Sequence, residues 1–160
     1  MTTHDVVLEG TRLNLGAGTD ALPGYVNVDR ADVAGVDEVW DLDVTPWPWA
    51  DESVREIRAF DVFEHVDDPL AFMAECHRVL QTGGLLNIHT THWQTENSFT
   101  DPTHRRFCTE HTFDYWIAGT EYNRRYGPAY AGGRHFEKKL IARDGQELAV
   151  LLTRLPREAT

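Results

Sequence analysis

The sequence predicts an α/β fold: a reduced, doubly wound and mostly parallel sheet that ends in a C-terminal antiparallel β-hairpin. A glycine turn at residues 16–18 separates two short apolar runs, as happens where one strand ends and the chain turns toward the next. One well-marked helix, expected over residues 69–80, lies between two further apolar runs and supplies the crossover that parallel strands need. Near the end, Asp144-Gly145 divides two apolar runs, which is the strongest short-range signal of a hairpin.

The length and composition are those of one globular domain. The chain has 160 residues, of which 41% are hydrophobic and 26% are charged. It has no signal-peptide pattern and no apolar run of about 18 residues, the length that a membrane span needs. Cys76 and Cys108 give neither a disulfide framework nor a zinc-ribbon spacing. We therefore expect a single cytoplasmic domain over residues 1–160, without a membrane partner and with a homo-oligomer left open.

The charge is negative and unevenly distributed. The formal net charge is −11, which argues against broad binding of nucleic acids because that binding depends on neutralising phosphates. Residues 1–80 carry 17 acidic and 5 basic side chains, whereas residues 81–160 carry 9 and 10. The second half is therefore where an anionic substrate would be met.

The expected elements follow from apolar alternation and from turn residues. Asp68 is a natural N-cap and Pro69 a natural first residue for the helix, and Gly83-Gly84 is expected to end it. Residues 92–133 are polar, aromatic and irregular, with a short helix expected near 110–117, and this length of irregular chain indicates a functional insertion. Strands are expected at 6–8, 13–15, 25–29, 38–42, 54–60, 85–89, 136–143 and 147–155.

The turn at residues 16–18 and the acid at Asp29 together suggest a nucleoside site. Two glycines one residue apart let the backbone approach a ligand, and an acid at the tip of the next strand can accept hydrogen bonds from both ribose hydroxyls. The spacing Gly16-x-Gly18-x-x-Ala21 fits the dinucleotide fingerprint, but only six residues separate Gly18 from Tyr25, too few for the phosphate-binding helix. A ligand without a pyrophosphate is therefore favoured.

Several segments, in consistent order, resemble the class I S-adenosylmethionine-dependent methyltransferases, specifically the small methyltransferase-domain type. LNLGAG at 13–18 resembles the glycine motif of that family, and GYVNVD at 24–29 resembles its acid-tipped second strand. Residues 37–57 resemble the family segment D-L-x-x-LPF-x-D-x-S-F-D-x-I, with Trp-Pro-Trp in place of Leu-Pro-Phe. FDVFEHVDDP and ECHRVLQTGG, at 60–69 and 75–84, resemble the pair E-H-x-x-D-P and E-x-x-R-V-L-K-P-G-G.

The resemblance implies a Rossmann-like fold, S-adenosylmethionine as cofactor, and methyl transfer to a small-molecule, sugar or peptide acceptor. Asp29 would hold the ribose hydroxyls, and Asp61 would meet the methionine end. The sequence departs from the family in lacking the first helix, which leaves the expected site more open. The remaining implied cofactor contacts are the backbone of Gly16, Ala17 and Gly18 at the methionine part, and Asp41 with the Leu42 amide at the adenine edge.

Candidate groups for the acceptor lie mostly in the insertion. His104, between Asp101 and two arginines, is the favoured base, with Asp101 and His65 as further catalytic candidates. Each of these also has an ordinary reading as a helix cap or a loop polar group. A carboxylate or phosphate on the substrate could be held by the two arginines, or they could form a solvated basic turn. The candidate substrate-binding residues are Arg105, Arg106, His92 and Trp93.

Two competing functions remain open. The chain could be a catalytically inactive module that binds S-adenosylmethionine or S-adenosylhomocysteine. It could instead be a metal-dependent hydrolase, since the middle of the chain contains good zinc ligand types, although in no known spacing. Because strand residues 89 and 92 would face opposite sides, we expect no metal site from that set. The set is His89, His92, His104, Cys108 and His111.

Overall fold

A computed structural model describes residues 9–157 and shows one sheet of seven strands. The strands are β1 (Thr11–Leu15), β2 (Val26–Asp29), β3 (Glu38–Val39), β4 (Val54–Phe60), β5 (Leu80–Thr91), β6 (Phe136–Asp144) and β7 (Glu147–Arg154). Their order across the sheet is β3-β2-β1-β4-β5-β7-β6. The first five run parallel to one another, and the terminal hairpin adds β7 antiparallel to β5, with β6 at the edge. The prediction of a mostly parallel sheet with a C-terminal hairpin is therefore confirmed, whereas the strand expected at 6–8 lies outside the described residues.

β3 and β5 differ most from their predicted bounds. β3 covers Glu38–Val39 rather than 38–42, because the Asp41 carboxylate accepts a hydrogen bond from the Asp43 amide at 3.0 Å and starts a turn there. β5 begins at Leu80 rather than at residue 85. Its first part is interrupted by an irregularity opposite Val54, and Gly83 takes a φ of 84° in it.

The helices are α1 (Pro69–Val79), α2 (Asn97–Thr100) and α3 (Glu121–Tyr130), together with a 3₁₀ helix at Thr112–Tyr115. The Asp68 carboxylate caps α1 by accepting from the amides of Leu70 and Ala71 at 2.8 and 3.1 Å, as predicted. The helix ends at Val79, so the glycine pair at 83–84 does not end it as expected. The helix expected near 110–117 is only the four-residue 3₁₀ helix, and the sequence did not predict α3. None of the described helices is long and apolar enough to cross a membrane.

The apolar core lies on the face of the sheet that α1 covers. Phe72 of α1 packs edge-on against Phe63 at 5.9 Å and against Trp47 at 5.5 Å. Phe113 of the 3₁₀ helix lies 4.9 Å from Phe63, so the insertion contributes to the same core. The fully buried strand residues of this core include Leu13, Leu15, Ile57, Ala59, Leu86 and Ile88.

The opposite face of the central strands carries polar side chains instead of a second helix layer. No helix lies between β1 and β2, where residues 16–25, all of them described, form turns. These turns fold over Asn14 and Asn27, which are buried and joined by a hydrogen bond of 3.0 Å. Further along this face, Arg58 forms an ion pair with Asp20 at 2.8 Å and lies 3.7 Å above the ring of Phe60.

A buried histidine in α1 makes the stability of the fold sensitive to acid. His77 is 1% exposed, and its Nε2 donates a hydrogen bond to the Leu155 carbonyl at 3.0 Å. Burial, and then the positive charge of Arg154, lower the pKa of His77 from 6.5 to about 4. The unfolded chain therefore takes up a proton before the folded protein does, so the free energy of unfolding falls as pH decreases from 6.5 toward about 4.

We expect His77→Gln to weaken this dependence, because glutamine keeps an N–H donor for Leu155 but cannot be protonated. Urea unfolding at pH 7 and at pH 4.5 measures the change. The loss of unfolding free energy between the two pH values should be smaller in the variant than in the wild type. His111→Gln is the matched control, since His111 is exposed. Equal pH dependence in wild type and His77→Gln would contradict this account.

Candidate functional site

A cleft lies where the parallel strands β1, β2 and β4 end. Carboxyl ends of parallel strands meet at one edge of a sheet, and ligands of doubly wound folds bind outside that edge. Here the chain leaves β1 at Gly16, and β2 ends at Asp29, while Asp61 directly follows β4. The cleft has a volume of about 220 Å³ and is open on one side to solvent. It is lined by Gly16, Asp29, Arg30, Trp40, Asp41, Leu42, Asp43, Asp61, Val62, His65, Val66 and Thr103.

The glycine turn brings bare backbone to the floor of the cleft. Gly16 and Gly18 have φ values of 66° and 47°, in the left-handed region that favours glycine. A Cβ atom at Gly16 would lie 2.3 Å from Cγ2 of Val62, whereas a Cβ at Gly18 would have nothing within 4 Å. Glycine is therefore needed at position 16 because Val62 packs closely against the backbone there. At position 18 glycine is needed only for the backbone conformation. Ala17 is buried, and its amide donates to the Val28 carbonyl at 2.9 Å.

Asp29 fixes the turn from the tip of β2. One carboxylate oxygen accepts from the Gly18 amide at 2.9 Å, and the other accepts from the Ala31 amide at 2.8 Å. A carboxylate has about four lone-pair positions, so each oxygen can accept one further hydrogen bond. Since Asp29 lines the cleft, those free positions suit two neighbouring hydroxyl groups of a ligand.

One wall of the cleft is partly apolar and follows the short strand β3. Trp40 donates its indole N–H to the Val44 carbonyl at 3.2 Å, and Leu42 packs against the core. Asp41 lies between them, exposed. A flat ligand ring could therefore contact apolar side chains while its polar edge meets a carboxylate.

The third acid predicted for the cofactor site, Asp61, holds an uncommon backbone conformation. Its φ is 53°, in the left-handed region that aspartate tolerates better than most residues. Its amide donates to the His89 carbonyl at 3.0 Å, which ties the residue to the end of β5. The side chain is exposed and lines the cleft.

The charges around the cleft favour a cationic ligand. Four carboxylates line it, and Arg30 is the single basic residue among its lining residues. A pyrophosphate would meet repulsion here, whereas a sulfonium or ammonium group would be attracted. The acids are Asp29, Asp41, Asp43 and Asp61.

The predicted catalytic residues lie together beside the cleft. His65 and Thr103 line it, and the two join through a hydrogen bond of 2.9 Å between His65 Nδ1 and the Thr103 hydroxyl. That hydroxyl donates to Asp101 at 2.7 Å, so the His65 nitrogen must be the donor to Thr103. The hydrogen bonds to Thr103 lower the pKa of Asp101. His104 lies edge-on to His65, with ring centroids 4.7 Å apart.

The two arginines that were predicted to bind substrate contact neighbouring loop residues. Arg105 forms an ion pair with Asp67 at 2.6 Å, and both side chains are more than half exposed. Arg106 donates to the carbonyls of Val66 and Asp67, the second at 2.7 Å. Burial lowers the pKa of Arg106. Both guanidinium groups thus connect residues 105–106 to the loop that precedes α1.

The remaining sequence candidates do not line the cleft. His92 is 2% exposed and contacts Glu110 at 3.3 Å, whereas Trp93 is exposed. His111 pairs with Asp114 at 2.8 Å, and Cys108 is buried with its pKa raised by burial to about 11. Of the five possible metal ligands that the sequence offered, only His104 belongs to a potential ligand cluster among the described residues.

Sequence reasoning missed several residues of this region. Three of them lie within a few residues of predicted positions, so their closeness in the sequence could have identified them. They are Arg30, Asp43 and Thr103. Glu64 is the direct neighbour of the predicted His65, whereas Glu147 gave no such signal, because the fold alone brings β7 and the loop after β4 together. The pKa of Glu147 is raised by burial and by the charges of Asp61 and Glu64, and lowered by that of His104.

Comparison with known proteins agrees with this geometry. Residues 14–88 match the family model described as a methyltransferase domain. No curated protein is significantly similar in sequence.

Solved structures share the fold at low identity. An S-adenosylmethionine-dependent methyltransferase from Thermotoga maritima aligns over 93% of this chain and 84% of its own, with 19% identity and a TM-score of 0.64. An S-adenosylmethionine-dependent methyltransferase from Mesorhizobium loti aligns over 90% of each chain, with 12% identity and a TM-score of 0.58. A chain from the Haloferax volcanii complex between a methyltransferase activator and a methyltransferase aligns over 92% of this chain and 83% of its own, with 15% identity and a TM-score of 0.59.

The two turn glycines provide a matched pair for testing the packing of the cleft floor. Alanine at either position is strained by about 1 kcal/mol because φ is positive. Gly16→Ala must also displace Val62, since the new methyl would lie 2.3 Å from it. We expect Gly16→Ala to lower the free energy of unfolding by about 1–3 kcal/mol more than Gly18→Ala, as overpacking does. Urea unfolding measures both.

A second substitution tests whether the contact with Val62 causes the difference between the two glycine variants. Adding Val62→Ala to Gly16→Ala removes the clashing methyl, so the double variant should lose less than the two single effects added together. Simple additivity would show that the contact with Val62 is not the source of the difference.

Proposed function

We propose that this chain is a class I S-adenosylmethionine-dependent methyltransferase that binds S-adenosylmethionine in the cleft and transfers its methyl group to a small-molecule, sugar or peptide acceptor. The observation that carries the proposal is the Asp29 carboxylate, which accepts from the Gly18 and Ala31 amides and still has lone pairs toward the cleft. The family match over residues 14–88 favours methyl transfer over the inactive binding module and over the metal-dependent hydrolase.

The residues of the cleft suit this cofactor in exposed backbone and in charge. Gly16 lines the cleft and has no side chain, so a ligand can approach its backbone closely. S-adenosylmethionine carries a sulfonium and an ammonium against one carboxylate, and the four acids of the cleft complement that excess of positive charge. It has no phosphate, which agrees with a turn that leads into no helix.

Each part of the cofactor has proposed partners. The ribose hydroxyls donate to Asp29, and the adenine ring lies near Leu42, with Asp41 at its edge. The methionine part contacts the backbone of the turn at 16–18 (Gly16, Ala17 and Gly18), and Asp61 meets its ammonium group. When bound, the cofactor supplies an electrophilic methyl group on a sulfonium. The task of the protein is then to hold the acceptor in line with it, since positioning alone can supply much of the rate.

The acceptor side is proposed to come from residues 92–133, with His65 added from the loop after β4. His104 donates its Nδ1 proton to the Ser98 carbonyl at 3.2 Å, which leaves Nε2 unprotonated in the neutral ring. His65, His104 and Asp101 are proposed to lie on the acceptor side of the cleft rather than to contact the cofactor. Arg105, half exposed, remains a proposed contact for an anionic group, whereas Arg106, His92 and Trp93 are proposed to shape the acceptor region around it.

Isothermal titration of S-adenosylmethionine and S-adenosylhomocysteine into the full chain tests the proposal. We expect micromolar binding of at least one of the two. Asp29→Ala removes two charge-assisted hydrogen bonds to the ribose and should weaken binding by about 100-fold or more, since each bond to a charged group contributes about 1.5–3 kcal/mol. Asp32→Ala is the control, because Asp32 is exposed and does not line the cleft.

Folding must be checked alongside, since Asp29 also holds the glycine turn. A thermal melt of each variant serves this purpose, and Asp29→Asn, which keeps one carbonyl acceptor, replaces the alanine variant if that fails to fold. No heat from either ligand up to millimolar concentration would overturn the proposal. Equal weakening by Asp29→Ala and Asp32→Ala would overturn the assigned ribose contact.

A further inference from the structure

Three buried oxygen atoms without a hydrogen-bond partner belong to residues that meet beside the cleft. They are Oε2 of Glu64, the hydroxyl of Thr91 and Oε2 of Glu147, all among the described residues. The Thr91 amide donates to the other Glu64 oxygen at 3.2 Å, and Thr91 pairs with Glu147 across β5 and β7. A buried polar atom left unpaired costs about 1–3 kcal/mol, and more when it is charged. Several such atoms in one place point to a missing ligand.

Two histidines complete this cluster. The His104 Nδ1 donates to the Ser98 carbonyl, and the His65 Nδ1 donates to Thr103, because the Thr103 proton is given to Asp101. In both neutral rings Nε2 is therefore unprotonated and has a lone pair, which is the form that binds metal ions. These Nδ1 hydrogen bonds resemble the outer contacts that orient histidine ligands in metal sites.

The donor atoms lie at a distance that one ion can bridge. A carboxylate oxygen of Glu64 and one ring nitrogen each of His65 and His104 all lie within 4.8 Å of one another. Donors bound to one metal at about 2.1 Å lie no more than about 4.2 Å apart, so a shift of about half an ångström by the two partly exposed histidines is enough. Glu64 itself is 0% exposed, and the Arg105 amide donates to its carbonyl at 2.8 Å, which keeps His104 next to it.

We propose that Glu64, His65 and His104 bind one divalent transition-metal ion. Two imidazoles and one carboxylate are donors that first-row transition ions prefer, whereas Mg²⁺ and Ca²⁺ prefer sites built from oxygen alone. No basic side chain among the described residues pairs with Glu64, since Arg105 pairs with Asp67 and Arg106 binds carbonyls. The nearby acids Glu147 and Asp61 add negative charge that a divalent cation would offset.

The site has a role that rests on the proposed function. His65 lines the cofactor cleft, so an ion bound to it lies at the acceptor side of that cleft. Three protein ligands leave positions open, as catalytic metal sites do. We therefore infer that the acceptor presents an oxygen donor, a hydroxyl or a carboxylate, which takes an open position on the ion and is held next to the methyl group.

Titration of Co²⁺ into chelator-treated full-length protein without S-adenosylmethionine tests the site itself. The visible absorption of Co²⁺ reports coordination by protein ligands, and we expect saturation at one equivalent and displacement by Zn²⁺. His104→Ala and Glu64→Gln should each weaken Co²⁺ binding by about 100-fold, because each removes a ligand. His111→Ala is the matched control, since His111 lies in the same segment, is exposed and pairs only with Asp114 among the described residues.

The same variants separate this site from the cofactor site. Asp29→Ala should lose S-adenosylmethionine binding and keep Co²⁺ binding, whereas Glu64→Gln should do the reverse. Failure of the wild type to bind one Co²⁺ while it binds S-adenosylmethionine would overturn the metal site alone. Co²⁺ binding that survives in both His104→Ala and Glu64→Gln would overturn the assigned ligands. If Glu64→Gln does not fold, His104→Ala carries the test, because His104 is partly exposed.

Discussion

The side chain of Asn27 holds together the part of the fold on which the cleft depends. Its carbonyl oxygen accepts from the Asn14 side chain at 3.0 Å and from the Leu22 amide at 2.7 Å, while its amide group donates to Asp37 at 2.9 Å. One buried residue thereby connects β1, the turns after it and the approach to β3. The parallel pairing of β1 and β2 places Gly16 and Asp29 at the same edge, and without a helix between the strands these hydrogen bonds hold the connecting turns in place.

The polar face of the sheet follows from the absence of a helix between β1 and β2. A helix layer would need apolar side chains beneath it, whereas short turns can cover polar ones if their hydrogen bonds are satisfied. Arg58 meets that need by donating to Asn14 at 2.7 Å and to Asp20 at 2.8 Å. Phe60 lies between the Arg58 guanidinium and the His89 ring, 3.7 Å from each. The thin covering leaves the cleft open on that side, which fits a cofactor without phosphates better than one that needs a helix N-terminus.

The sequence predicted those features that depend on residues close together in the chain. The Asp68 cap and the Asp144-Gly145 turn depend on contacts between residues a few positions apart, so the sequence could predict them. The acid at the tip of β2 could be predicted in the same way. The helix α3 was missed because Gly127 and Pro128 lie inside it, although Thr120 caps it by accepting from the Asn123 amide. It is stabilised by tyrosines spaced four residues apart that pack on Tyr115, a contact only the fold creates. The orphaned oxygens of Glu64 and Glu147 likewise depend on tertiary pairing.

The two adjacent arginines of the insertion contact the loop that follows β4. The uneven charge of the sequence placed the positive groups in the second half, and Arg105 and Arg106 were the natural candidates for an anionic acceptor. In the fold they hold the insertion against the loop after β4, by an ion pair to Asp67 and by hydrogen bonds to carbonyls. Their contacts keep His104 beside Glu64 and His65. A divalent cation at the proposed site beside Glu64, whose Oε2 has no hydrogen-bond partner among the described residues, would add positive charge for the acceptor to that of Arg105.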